Sequence, residues 1–138
     1  MWLSVLILLI VSPAIFWGAE WLRQLRIKRK RIADNPDEFW QSVQASYPAL
    51  DSELVRRFYK TIMSLTSFQI PPRMEDSLRL FGIGGFLGSS LDEVIERVCG
   101  DMEDARLQNA IFEVLLRREE SVERVSDLIE VLSHACAK

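Results

Sequence analysis

The first nineteen residues, from Met1 to Ala19, contain no charged side chain. A helix of that length rises about 1.5 Å per residue and reaches roughly 28 Å, close to the hydrocarbon thickness of a bilayer. A secretory signal has a basic start, a shorter apolar run and small residues before its cleavage point. Here Met1-Trp2 opens the run, and bulky Trp17 lies three positions before the one small-residue candidate site, after Ala19. The run therefore reads as an uncleaved membrane anchor over residues 1–22.

Residues 23–35 form a basic juxtamembrane segment and linker. Arg23, Arg26, Lys28, Arg29, Lys30 and Arg31 follow the apolar run, and a basic flank of this kind stays on the cytoplasmic side of a membrane. The expected topology is single-pass, with the N-terminus outside and the rest of the chain cytoplasmic. Trp2, Trp17 and Trp21 fall near the two ends of the span, where an indole buries its ring and keeps its N–H at headgroup level. Pro13 removes one backbone donor in mid-span and is expected to kink the helix. The bilayer is thus the first expected partner, and anionic lipid would add about 1 kcal/mol per basic residue of the flank.

The overall charge of −3 conceals two opposite parts. Residues 1–31 hold six basic side chains against Glu20, a net +5; residues 32–138 hold eleven basic and nineteen acidic, a net −8. An acidic domain lacks the surface that nucleic acid requires, so nucleic acid is excluded as an expected partner, and a basic or membrane-bound protein is favoured. About a hundred residues suffice for one core. Cys99 and Cys136 lie far apart on the expected cytoplasmic side, where a structural disulfide is not expected. His134 has no second His and no Cys-x-x-Cys nearby, so neither a metal site nor a nucleophile–His pair is expected.

Residues 36–138 read as an all-helical domain. Asn35-Pro36-Asp37-Glu38 combines an N-cap, a proline at the first helical position and early acids, and Phe39, Trp40, Val43 and Tyr47 keep to one side until Pro48. A second helix starts at Asp51 and carries Leu54, Val55, Phe58, Tyr59, Ile62 and Leu65 to about Thr66. The prolines in Gln69-Ile70-Pro71-Pro72-Arg73 predict an extended segment, and a short helical turn is expected to follow through Met74, Leu78 and Phe81. Gly82, Gly84, Gly85 and Gly88 then form a loop whose spacing fits no phosphate-binding pattern.

Ser90 and Glu93 form a capping box for a helix with Leu91, Val94, Ile95 and Val98 on its inner face. Asp101 or Asp104 is the expected cap of the next, which carries Leu107, Ile111, Val114 and Leu115 to Arg118. Ser121 is the expected cap of the last, with Val122, Val125, Leu128, Ile129 and Leu132. No period-two strand is present. The acids at Asp92, Glu93 and Glu96 and at Glu119, Glu120 and Glu123 read as solvated helix faces, since catalysis would need an apolar cleft and a nucleophile beside them. No enzymatic activity is expected.

Between Ser52 and Leu132 the order of these signals resembles an acyl carrier protein: a long first helix, an extended loop with proline, a turn with glycine, Ser-Leu opening a second helix, and Ser-Val ahead of the last. Ser89-Ser90-Leu91 stands where the family has Asp-Ser-Leu. The resemblance implies a small carrier-like bundle and makes Ser90 the position that would accept a phosphopantetheine arm. Ser90 thus has two readings, a helix cap and a cofactor attachment point. The expected protein is a membrane-anchored interaction or accessory subunit that needs no cofactor, and the alternative is a membrane-tethered acyl or peptidyl carrier.

Overall fold

A computed structural model describes residues 1–66, 68–84, 90–100, 105–118 and 121–136. Six α-helices occur among them: α1 (Trp2–Lys30), α2 (Pro36–Ser46), α3 (Ser52–Ser64), α4 (Leu91–Gly100), α5 (Ala105–Arg117) and α6 (Val125–Cys136), with a 3-10 turn at Leu78–Phe81. No strand forms among the described residues, and one isolated antiparallel bridge joins Ser77 to Arg124. The protein is all-α, a long apolar helix followed by a small helical bundle. It divides into two compact units, Met1–Ala33 and Asp34–Lys138.

The first unit is built on α1. It runs unbroken past the apolar stretch and through the basic flank to Lys30, so most of the collar is helical, and Pro13 sits inside it. Lys28, Arg29 and Lys30 occupy its last turn, where positive charge offsets the exposed carbonyls and the negative end of the helix dipole. Arg23 donates to Glu20 one turn earlier at 2.9 Å. None of its side chains is buried. It is the one helix among the described residues that is long and apolar enough to cross a membrane.

The second unit is the bundle. The Asn35 side chain accepts the Asp37 N–H at 3.0 Å and starts α2, and the Asp51 carboxylate accepts the Glu53 N–H at 3.2 Å and starts α3. Each cap satisfies one of the donors that a helix start leaves unpaired. α3 buries Leu54, Val55, Phe58, Tyr59 and Ile62, a stripe whose spacing matches 3.6 residues per turn. It packs against α2 and α4, while α5 packs against both α4 and α6. The Phe39 and Tyr59 rings meet between α2 and α3 with centroids 5.1 Å apart, tilted by 58°.

The proline segment closes the far side of the core. Gln69 is not extended as expected: it adopts a left-handed φ of 51° and turns the chain inward, so that Ile70 is fully buried and its N–H reaches the Thr66 hydroxyl at 2.8 Å. Pro71 and Pro72 keep the residues before them out of the helical region, and a turn closed by the Asp76 N–H on the Arg73 carbonyl at 3.1 Å follows. Met74 and Asp76 then present their carbonyls to the start of α6: the Ser126 N–H donates to Met74 at 3.0 Å and the Val125 N–H to Asp76 at 2.9 Å.

That contact moves the last helix. Ser121 is not its cap, because the helix begins at Val125 and Ser121 instead donates to the Glu123 carboxylate at 3.2 Å. The Asp127 carboxylate accepts the N–H groups of Glu123 and Arg124 at 3.1 and 3.0 Å, and the Leu78 N–H donates to the Glu123 carbonyl at 2.8 Å. Residues 121–124 are thereby held outside the helix, and Val122 is half-exposed rather than buried. The expected caps Asp101 and Asp104 lie outside the described residues.

With this core, a fragment comprising residues 34–138 is expected to unfold cooperatively in urea. Leu54→Ala, at a side chain only 1 % exposed, should lower its unfolding free energy by about 2–5 kcal/mol. A gradual, non-cooperative loss of helicity in the parent fragment would show that the bundle lacks an independent core.

Candidate functional site

Ser90 is exposed at the start of α4. Its hydroxyl accepts the Glu93 N–H at 3.2 Å and its carbonyl accepts the Val94 N–H at 3.2 Å. This geometry satisfies a free donor of the first turn. Asp92 and Glu93 add negative charge at the positive end of the helix, and Val94, Ile95, Val98 and Cys99 anchor the opposite face in the core. The hydroxyl is therefore fixed at a rigid helix end and open to solvent. Gly82 and Gly84 precede it with φ near 76° and 77°, and Ser89, the neighbour that carries the rest of the motif, lies outside the described residues.

Asp92, Glu93 and Glu96 are all exposed on α4. Glu119 and Glu120 lie outside the described residues. Among the described residues no three His, Cys, Asp or Glu side chains converge as a metal ion would require. Cys99 is buried, and Cys136 is half-buried.

A second cluster had no signal in the sequence. The Arg73 guanidinium grips the Asp34 carboxylate with two bonds, Nε to Oδ2 at 2.7 Å and Nη2 to Oδ1 at 2.9 Å. Asp76, itself buried, accepts the Arg73 N–H at 2.7 Å and so orients the residue. A paired fork of this kind holds direction as well as charge. It fixes Asp34, where the bundle begins, to the proline segment 39 residues away. A solvent-open hollow of about 480 Å³ lies beside it, lined by Glu38, Phe39, Ser42, Tyr59 and Glu75 among others. The bond to Asp34 raises the Arg73 pKa above its ordinary value, although burial acts the other way.

A smaller and more apolar hollow of about 230 Å³ opens between α2 and α3, with Phe39, Trp40, Val55, Tyr59 and Met63 in its wall and Arg56 and Lys60 at its rim.

The chain has no match among protein-family models, curated proteins or solved structures. The likeness of residues 52–132 to acyl carrier proteins therefore stands on the sequence order alone.

Two measurements follow from the side-chain surroundings. Ser90→Ala should cost about 1 kcal/mol of bundle stability through loss of the cap, read from the urea midpoint of residues 34–138; an unchanged midpoint would mean the hydroxyl contributes nothing to α4. Burial, joined by the Asp34 charge, raises the Tyr59 pKa above 10.0. Burial, with Glu130 adding to it and Arg118 opposing, does the same for Tyr47. The unfolded phenols titrate near 10.0 and release protons before the folded ones do, so stability should fall as pH rises above 10. Phenolate absorbance should lag in the native bundle and return to the ordinary midpoint in urea, and equal midpoints in both states would contradict this.

Proposed function

We propose that the chain is a single-pass membrane protein whose anchor holds an acidic, non-enzymatic helical bundle at the cytoplasmic face, where it acts as an interaction or accessory subunit. The observation that carries this reading is α1, which exposes Leu3, Leu6, Leu8, Leu9, Ile10, Ile15, Phe16 and Trp17 and buries no side chain within the fold. A bilayer is the solvent in which that surface is stable, and the backbone of a continuous helix satisfies its own hydrogen bonds there. The orientation rests on the collar from Arg23 to Arg31, which resists translocation.

Tethering has physical content of its own. Confinement to a thin layer raises the effective concentration of the bundle toward other membrane-bound proteins, so a weak docking surface suffices for occupancy. The bundle's net charge of −8 over residues 32–138 favours a basic surface on such a partner and slows approach to nucleic acid.

A second reading keeps the anchor and makes the bundle an acyl or peptidyl carrier. Its support is the exposed Ser90 hydroxyl at the N-terminus of α4, the position that would carry phosphopantetheine. Intact mass separates the two. Protein from its native host, and protein incubated with a broad-range phosphopantetheinyl transferase and coenzyme A, should both keep the unmodified mass; an adduct lost in Ser90→Ala would establish the carrier reading instead.

For the topology, protease added to sealed vesicles from either side gives opposite outcomes. The bundle should be cut only from the cytoplasmic side, and digestion from the outer side would reverse the proposed orientation. Gentle detergent extraction should bring the chain out in an assembly of fixed stoichiometry, and recovery as a lone monomer would contradict an accessory role.

A further inference from the structure

α5 is the least buried helix of the bundle for its composition. α3 buries five residues, α4 four and α6 six, yet α5 buries only Ile111, although it packs against two neighbours. Leu107, Val114 and Leu115 lie within about 60° of Ile111 around the helix and form its inner stripe. Phe112 and Leu116 lie about 100° and 140° from Ile111 and form a second apolar ridge, one turn apart. Phe112 is half-buried, and Leu116 is 88 % exposed, the most exposed large apolar side chain among the described residues of the bundle.

The charges beside this ridge have a pattern that matches itself. Glu113 and Arg117 follow one flank of it, one turn apart, and pair with each other at 2.6 Å with both side chains exposed. In two antiparallel helices related by a twofold axis, the same flank of each helix faces its copy. Glu113 of one then opposes Arg117 of the other, and the reverse. The axis passes between these positions, which brings the two Leu116 side chains together.

We propose that α5 is a self-association surface, on which two copies of the chain pack their α5 helices antiparallel about Leu116 and exchange their Glu113–Arg117 pairs. A twofold contact of this kind is self-complementary and closes at the dimer. A single helix crossing buries less than a standard interface, so the contact is weak between free bundles. Copies held on one surface meet at a far higher effective concentration. The inference goes beyond the proposed anchor without depending on it, because the contact lies within the bundle.

Disulfide cross-linking of the full chain in detergent micelles and in liposomes tests it, with the parent chain, which holds only the buried Cys99 and the half-buried Cys136, oxidised alongside. Leu116→Cys should give a covalent dimer absent from the parent. Glu113→Arg in that background sets like charges across the axis and should reduce the cross-link severalfold, and adding Arg117→Glu should restore it. All these positions are exposed, and an unchanged helical circular dichroism spectrum verifies the fold; should Glu113→Arg lose helicity, Arg117→Glu alone makes the same comparison. Absence of a Leu116→Cys dimer in both media overturns the proposal, as does a dimer indifferent to the charge changes. Preferential cross-linking of Leu116→Cys to Met63→Cys on α3 would also overturn it, since Leu116 would then occupy the hollow between α2 and α3 of its neighbour.

Discussion

Exposure of the α1 side chains to water is the constraint on which everything else depends. The helix carries more than ten large apolar residues and buries none of them. At about 1.5–3 kcal/mol for each such side chain, leaving them in water costs on the order of 20 kcal/mol. A bundle of about a hundred residues has a net stability of only about 5–15 kcal/mol. The larger quantity decides where the molecule resides, and in our proposal the bilayer supplies the missing burial. The bundle is then the part that works, held wherever the helix puts it.

Within the bundle the proline segment has a comparable organising role. Pro71 and Pro72 keep Ile70 and Pro71 out of the helical region, a turn closed by the Asp76 N–H on the Arg73 carbonyl follows, and the segment has carbonyls to offer. Two of them, from Met74 and Asp76, receive N–H groups at the start of α6, while Arg73 reaches back to Asp34. One short segment thus joins the beginning of the bundle to its last helix. The hydrophobic core supplies most of the stabilisation, and these polar contacts fix the register in which it closes.

Much of this was legible in the sequence because it is local. The apolar run, the caps at Asn35, Asp51 and Ser90, and the stripe from Leu54 to Ile62 each depend on residues within one or two turns, and each has the expected form. The start of α6 was misread for the opposite reason. Ser121-Val122 looks like a cap followed by the first residue of a buried stripe, but the N–H groups of residues 125 and 126 are satisfied by carbonyls some fifty residues earlier, and no local pattern records that. The Arg73–Asp34 fork is invisible on the same ground. The surface of α5 is legible only in part: periodicity leaves Leu116 off the inner stripe, but the packed neighbours decide that it is 88 % exposed. Ser90 was legible as a cap, since capping is a short-range property, whereas attachment of a cofactor depends on recognition by another protein.

The central claim, that α1 anchors an otherwise self-sufficient bundle in a bilayer, is tested most directly by alkaline extraction of membranes carrying either the full chain or residues 34–138. The account predicts that the full chain stays in the membrane pellet and dissolves only with detergent, and that the shorter chain is recovered folded in the supernatant. Release of the full chain by alkali would show that α1 lies on or beside the membrane rather than across it, and would contradict the account.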